Sequence, residues 1–276
     1  MVLCPVVARP FGHGAGVSSV VLARLFPEIH FGDFSRFSHR VIFYSRVNAL
    51  LTPEMTVLEF GAGRGKWAET ERGYLGRLTA LKGKCAKVVG ADVDSAVREN
   101  PQIDEAVLIA PDGAMAIPDS SVDLIVSWAV FEHLDDPRAT AAELSRVLKP
   151  GGYICAWTPN KWSYLAIAAR IVPNRLHAKV LRRMNIARGE EDIFPTRYRV
   201  NTRGAIRKFF PPAQYANGTY IFNGDPAYHA GSVTIARVWR LWAWLMPLFF
   251  GQALHVFLRK HGGAEAVSTV KGETQS

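Results

Sequence analysis

Apolar positions along the chain change their spacing in a way that marks out alternating elements. Residues 40–51 (RVIFYSRVNALL) carry apolar side chains at helical spacing and predict a helix with one apolar face. Residues 56–60 (TVLEF) are a short apolar run, as expected of a strand buried on both faces. Similar runs recur at 87–91 (KVVGA), 105–110, 122–127 (VDLIVS) and 153–158. A charged, helical stretch follows the first run and reaches residue 81. Residues 137–148 place Ala, Leu and Val on one helical face. That helix is expected to stop at LKPGG (148–152), where Lys149 suits a C-terminus and Pro150–Gly151 cannot continue it. Two more strands are expected at 219–223 and 253–259. Residues 1–40 are rich in Gly, Pro and Phe, with weak periodicity, and no segment repeats another.

Strands alternating with helices predict an α/β fold whose parallel sheet is covered on both faces. Ligands of such sheets bind at the carboxyl ends of the strands. The 276 residues, 49% of them hydrophobic, suffice for one large core. The expected organisation is a lead and cap helix at 1–54 and a main domain at 55–260. A basic helical insertion occupies about 161–210, and a polar tail, expected to be disordered, follows at 261–276. One segment strains this picture. Residues 241–258 contain no Asp, Glu, Lys or Arg over 18 positions, long enough for a spanning helix. Pro247 and Gly251 interrupt it, however, and Gln252 and His255 are polar. The expectation is a helix over 232–247 followed by the strand at 253–259.

Charge adds a partner question. The formal charge is +9, and residues 157–210 hold 12 Lys/Arg against three acids. A basic surface suits an acidic substrate, a membrane or nucleic acid, and an ordinary solvated face is the competing reading. Trp239, Trp242 and Trp244 beside Arg237 and Arg240 suit peripheral contact with an anionic membrane. Cys4, Cys85 and Cys155 have neither metal-site nor redox spacing, which fits a reduced cytoplasmic compartment. The start, MVLCPVVARPFGHG, lacks a basic stretch followed by an apolar core, so no signal peptide is expected.

The most informative stretch is 56–67, TVLEFGAGRGKW. A P-loop needs Gly, four residues, then Gly-Lys-Ser/Thr. Here Phe60 stands at the first Gly and Trp67 at the hydroxyl. A dinucleotide fingerprint from Gly61 needs a small residue where Lys66 stands. From Gly63 the run to Ala68 passes formally, but it starts two residues too far from the strand end. What fits is acid-x-Gly-x-Gly-x-Gly: Glu59, Gly61, Gly63 and Gly65.

Taken with VVGADVD, APDGAMAIPDSSVDLIVSWAVFEHL and RVLKPGG, in that order, residues 55–160 resemble the class I S-adenosylmethionine-dependent methyltransferases. The resemblance implies a Rossmann-like seven-stranded sheet, helices on both faces, an antiparallel last strand and a helical cap insertion. It also implies S-adenosylmethionine as cofactor. Glu59 would meet its amino group, and Asp92, with Val93 beside it, its ribose hydroxyls. Asp112 and Gly113 would meet the adenine, and Ser127 and Trp128 would line the methyl. The bland alternatives are a helix N-cap for Asp92 and an Asp-Gly turn for Asp112.

His133, in Phe131-Glu132-His133, is the general-base candidate. A helix-start histidine bonded to nearby backbone is the alternative. Related O-methyltransferases carry Glu-x-x-Glu-His for a divalent metal, but Ala129 replaces the first Glu here, so no metal is expected. SWAVFEHL is not the Asn/Asp-Pro-Pro-aromatic motif of nucleic-acid and protein amine methylators, so DNA is not an expected partner. Tyr44 and Asn48 on the leading helix, and Asn160 after the fifth strand, are candidate acceptor contacts. The expected reaction is methyl transfer to oxygen on a small-molecule, glycan or lipid-linked acceptor, with the insertion as a cap. The rivals are a nicotinamide-dependent oxidoreductase and a non-catalytic cofactor-binding module of the same fold.

Overall fold

The computed structural model describes residues 17–65, 73–163, 166–167, 196–226, 229 and 231–262. Most of the basic insertion and of the tail, the chain start and Lys66 lie outside the described residues. Alternation of apolar side chains builds the centre. Val57, Val88, Leu124 and Val126 point to one face of a sheet, while Leu58, Val89 and Ile125 point to the other. Both sets are buried, which is why the short runs in the sequence are apolar throughout rather than alternating with polar residues.

The strands are β1 (Thr56–Phe60), β2 (Lys87–Asp92), β3 (Glu105–Leu108), β4 (Val122–Trp128), β5 (Leu148–Pro159), β6 (Tyr215–Asn217), β7 (Tyr220–Phe222) and β8 (Ala253–Lys260). They form one sheet in the order β3-β2-β1-β4-β5-β8-β6, with β7 also on β8. The first five are mutually parallel, and β8 runs antiparallel to its neighbours. The edge strand expected at 219–223 is β7, and a further short strand that was not expected, β6, precedes it on the same edge. The chain breaks between them where Gly218 donates to the Phe257 carbonyl at 2.8 Å and Thr219 N–H turns to Asn217 Oδ1. The sheet is therefore eight-stranded but still seven positions wide.

Among the described residues the helices are α1 (Val17–Leu25), α2 (His39–Leu50), α3 (Gly73–Thr79), α4 (Pro137–Val147), α5 (Arg203–Phe209) and α6 (Val233–Leu245). In α4, Pro137, Ala141, Leu144 and Val147 form the buried stripe, and Asp136 caps the start by accepting from Arg138 and Ala139 N–H at 2.9 and 3.0 Å. Such a cap is worth about 1 kcal/mol. LKPGG does end α4, but it belongs to β5 rather than to a turn. Leu148 pairs with Val122, and the register then shifts before Tyr153 pairs with Leu124. Pro150 and Gly151 (φ 82°) sit in that irregularity, where no ladder N–H is required of them. Lys149 does not close the helix. Its ammonium lies 2.8 Å from Asp123, which also accepts the Thr56 N–H. Among the described residues no helix is long and apolar enough to cross a membrane.

A line of side-chain hydrogen bonds fastens α2 to β8. Gln252 Oε1 already accepts from Gly224 N–H, so His39 Nε2 donates to it at 3.2 Å. His39 Nδ1 must then accept, and His255 Nε2 donates to it at 3.0 Å. His255 Nδ1 in turn accepts from the Tyr220 hydroxyl at 3.3 Å, whose oxygen takes a bond from Arg46 Nε. Every ring nitrogen is used with both histidines neutral. Burial lowers the His39 pKa to about 4. Burial, then the His39 and Arg46 charges, lower that of His255 to about 3.

The unfolded chain binds protons at these positions below its ordinary pKa of 6.5, where the folded chain does not. Stability is thus fully present above 6.5 and declines as pH falls toward 4 and 3. Urea unfolding at about pH 7.5 and about pH 5 should show a loss of about 2 kcal/mol per histidine. Because Glu59 shifts stability in the opposite sense over this range, the comparison is made in Glu59→Gln, where an unchanged midpoint would contradict the neutral pair.

Candidate active site

The sheet reverses its winding between β1 and β4, which lie side by side but lead to opposite sides. The glycine loop leaves β1 at that point. Gly61 donates to the Ala91 carbonyl at 2.8 Å, and a Cβ on it would stand 2.2 Å from Val130 Cγ2. At Gly65 (φ 68°) a Cβ would stand 2.2 Å from Asn100 Oδ1. The Asn100 amide, 6% exposed, explains that crowding. Its Nδ2 donates to the Ala62 and Gly63 carbonyls at 3.0 and 3.2 Å, and its Oδ1 accepts from Gln102 N–H. Asp92 holds the other side of the loop. Its Oδ2 accepts from Gly63 N–H and its Oδ1 from Asp94 N–H, both at 2.9 Å. Asp94, not Asp92, caps the following 3-10 turn at Ser95–Glu99. A Cβ on Gly63 would meet nothing within 4 Å, so the loop's crest faces open space.

Beneath the loop lies a cavity of about 110 Å³ lined by Arg40, Tyr44, Glu59, Gly65, Asn100 and Trp128, among others. Burial raises the Glu59 pKa to about 7, and its carboxylate makes no hydrogen bond to any described residue. The Tyr44 phenol is held above its usual range by burial, then by Glu59, while burial lowers Arg40 to about 10. Trp128 stacks on Trp157 at 4.6 Å and on Tyr44 at 5.7 Å, with the Arg40 guanidinium 5.3 Å from its ring. The result is an acid and a base facing one cavity with an aromatic wall. Such a pair suits a zwitterion, and the loop, with Phe60 and not Gly leading it, lacks the full P-loop pattern for a phosphate.

The other predicted residues lie elsewhere. Val93, 61% exposed, follows Asp92 directly. Asp112 accepts from Ala114 N–H at 3.1 Å and Gly113 donates to the Ala110 carbonyl, an exposed turn beyond β3. The Ser127 hydroxyl is buried and donates to the Phe60 carbonyl, so it is committed within the sheet. Asn48 bonds the Tyr44 and Leu78 carbonyls and the Lys84 ammonium, tying α2 to α3. Asn160 is 1% exposed and donates to the Phe249 and Gly251 carbonyls. Neither asparagine lines the cavity.

His133 ends the 3-10 turn Phe131–His133, its Nε2 3.9 Å from Glu132 Oε1. Glu132 is buried, accepting from the Thr158 hydroxyl at 2.9 Å, which itself accepts from Asn201 Nδ2 at 2.6 Å. Among the described residues no three His, Cys, Asp or Glu side chains converge as a metal site would need. Sequence reasoning missed Arg40 and Asn100. Arg40 stands one helical turn before Tyr44, a spacing that was legible. Asn100 lies in an irregular link and carried no signal.

Two outcomes test this geometry without any ligand. Asn100→Ala should lower stability by about 1–3 kcal/mol in denaturant melts, because two loop carbonyls lose their donor. Glu59→Gln should raise the melting temperature at about pH 8. A carboxylate whose folded pKa exceeds its unfolded one destabilises the fold as pH rises past the unfolded value. A lower melting temperature would mean that Glu59 has a structural partner.

A Mycolicibacterium smegmatis protein named probable S-adenosylmethionine-dependent methyltransferase is 32% identical over 111 residues, 39% of this chain and 39% of the relative. A Mycobacterium tuberculosis protein of the same description is 30% identical over 149 residues, 51% of this chain and 48% of the relative. The chain thus spans less than half the length of these relatives. A solved S-adenosylmethionine-dependent methyltransferase from Methanosarcina mazei aligns over 79% of this chain and 97% of its own, at 17% identity and a TM-score of 0.48. The family model described as a methyltransferase domain matches residues 33–194, more than half of the 276, and the chain belongs to that family.

Proposed function

We propose that the chain is an S-adenosylmethionine-dependent methyltransferase acting on an oxygen of a small-molecule, sugar or lipid-linked acceptor in the cytoplasm. The observation that carries this reading is the Glu59 carboxylate, without a hydrogen-bonding partner among described residues, which lines the same cavity under the glycine loop as Arg40. An amino-acid end group presents the ammonium and carboxylate that this pair complements.

When bound, the cofactor supplies a methyl already activated by its sulfonium. Glu59 would accept from its amino group and Arg40 would donate to its carboxylate. Asp92 would use its remaining lone pairs for the ribose hydroxyls while keeping the loop in place. Asp112 and Gly113 would hold the adenine. Trp128, stacked on Trp157 and Tyr44, would form with them the aromatic wall that keeps water out. Tyr44 stays a neutral donor because its phenol is hard to ionise. The chain's main task is alignment, with His133 taking the proton from an acceptor hydroxyl and Glu132 limiting its orientation. Asn48 and Asn160 act at one remove, by fixing α2 and the 248–251 turn.

Calorimetric titration with S-adenosylhomocysteine tests the reading. Below about pH 7 the Glu59 carboxylate is increasingly protonated and cannot accept from an ammonium, so affinity should fall up to about tenfold per pH unit. Glu59→Gln should bind more weakly and with a flat profile. NADH displacing the ligand, or no binding by folded protein, would overturn the assignment. His133→Ala should leave S-adenosylhomocysteine affinity unchanged and cut turnover by about a hundredfold or more.

A further inference from the structure

We infer that α6, the turn that follows it and Trp162 form a docking surface for an anionic lipid bilayer. The outward stripe of α6 is apolar. Ile235, Val238, Trp242 and Leu245 follow one another at spacings of three and four and are 40 to 57% exposed. Trp244 beside them is 77% exposed. The inward face is thin, with Ala236 its one buried residue and Arg240 turned in over the Phe37 ring at 3.9 Å. This is the reverse of a solvent-facing helix, which turns its polar residues outward. The patch continues past the helix. Leu248 and Phe249 are 56 and 53% exposed, and Phe249 stacks on Trp162 at 6.0 Å.

Charge selects the occupant. The described residues that build this surface, 160–163 and 231–251, contain no Asp or Glu but hold Lys161, Arg237 and Arg240. Arg237 is exposed on α6 itself, and Lys161 lies 5.8 Å from the Trp162 ring. A protein partner of matching shape would need its own acidic rim. An anionic bilayer offers apolar depth for Trp, Phe and Leu and phosphates for the cations on one plane. The position in the fold adds a reason. Asn160, just past the carboxyl end of β5, holds the Phe249 and Gly251 carbonyls. The patch therefore lies at the same end of the sheet as the glycine loop and Trp128, so docking would bring that end to the lipid.

Vesicle co-sedimentation reads this directly and needs no methyl transfer, so its failure is separate from failure of the proposed reaction. The full chain should sediment with phosphatidylglycerol-containing vesicles, less so at high salt, and not with pure phosphatidylcholine. The double variant Trp244→Ser/Phe249→Ser should lose about tenfold or more in partitioning. Its urea unfolding midpoint should be unchanged, which reports that it folds. No binding by wild-type protein, or undiminished binding by the folded variant, would overturn the surface. So would analytical ultracentrifugation showing a wild-type dimer that the variant converts to monomer, because the face would then belong to a second copy.

Discussion

The carboxylate of Asp92 is the interaction on which the working end of this molecule depends. It ends β2, yet it binds the backbone of the loop that leaves β1. Two parallel strands can deliver a loop to the same edge without fixing its shape. Asp92 from one side and Asn100 from the other fix it, one accepting from the loop and the other donating to it. The glycines follow from this clamp, since a side chain at Gly61 or Gly65 would displace Val130 or Asn100. With the loop held by its backbone, its crest and the cavity beneath it remain available.

The cavity's other wall belongs to α2, and its placement has a separate cause. Phe43, Tyr44 and Val47 bury one face of the helix against the sheet, which sets distance but leaves rotation and slide open. The directional bonds from His39 through His255 and Tyr220 remove that freedom. Arg40 and Tyr44 are then presented to Glu59 in one orientation. The cost is two imidazoles kept neutral by burial and a carboxylate kept hard to ionise, the usual signature of a site organised for something other than stability.

Much of the sheet was legible because its signals are local. β1 and the start of β2 read directly from apolar runs, and α4 from its apolar stripe and the LKPGG stop. The failures were of long-range origin. LKPGG reads as a stop, and it is one for the helix, but pairing of Leu148 with Val122 drew it into β5. β6 gave no apolar run to read, being three residues with two exposed, and only its pairing with β8 makes it a strand. At the site, Glu59, Asp92 and Trp128 stood out through the motif. Asn48 and Asn160 looked equally suited by type, yet their amides are committed to main-chain carbonyls that no sequence pattern identifies.

The division of the last sheet position between β6 and β7 has a consequence for the molecule's behaviour in a crowded solution. An unpaired edge is a template on which another chain can add a strand. Here that edge consists of two three-residue pieces separated by the break at Gly218, too short and too bent to offer a continuous row of donors and acceptors. The opposite edge, β3, has four residues, and its Glu105 pairs with Lys87. Both margins are thus poor seeds for strand addition, so a sheet with two apolar faces ends in borders that resist aggregation.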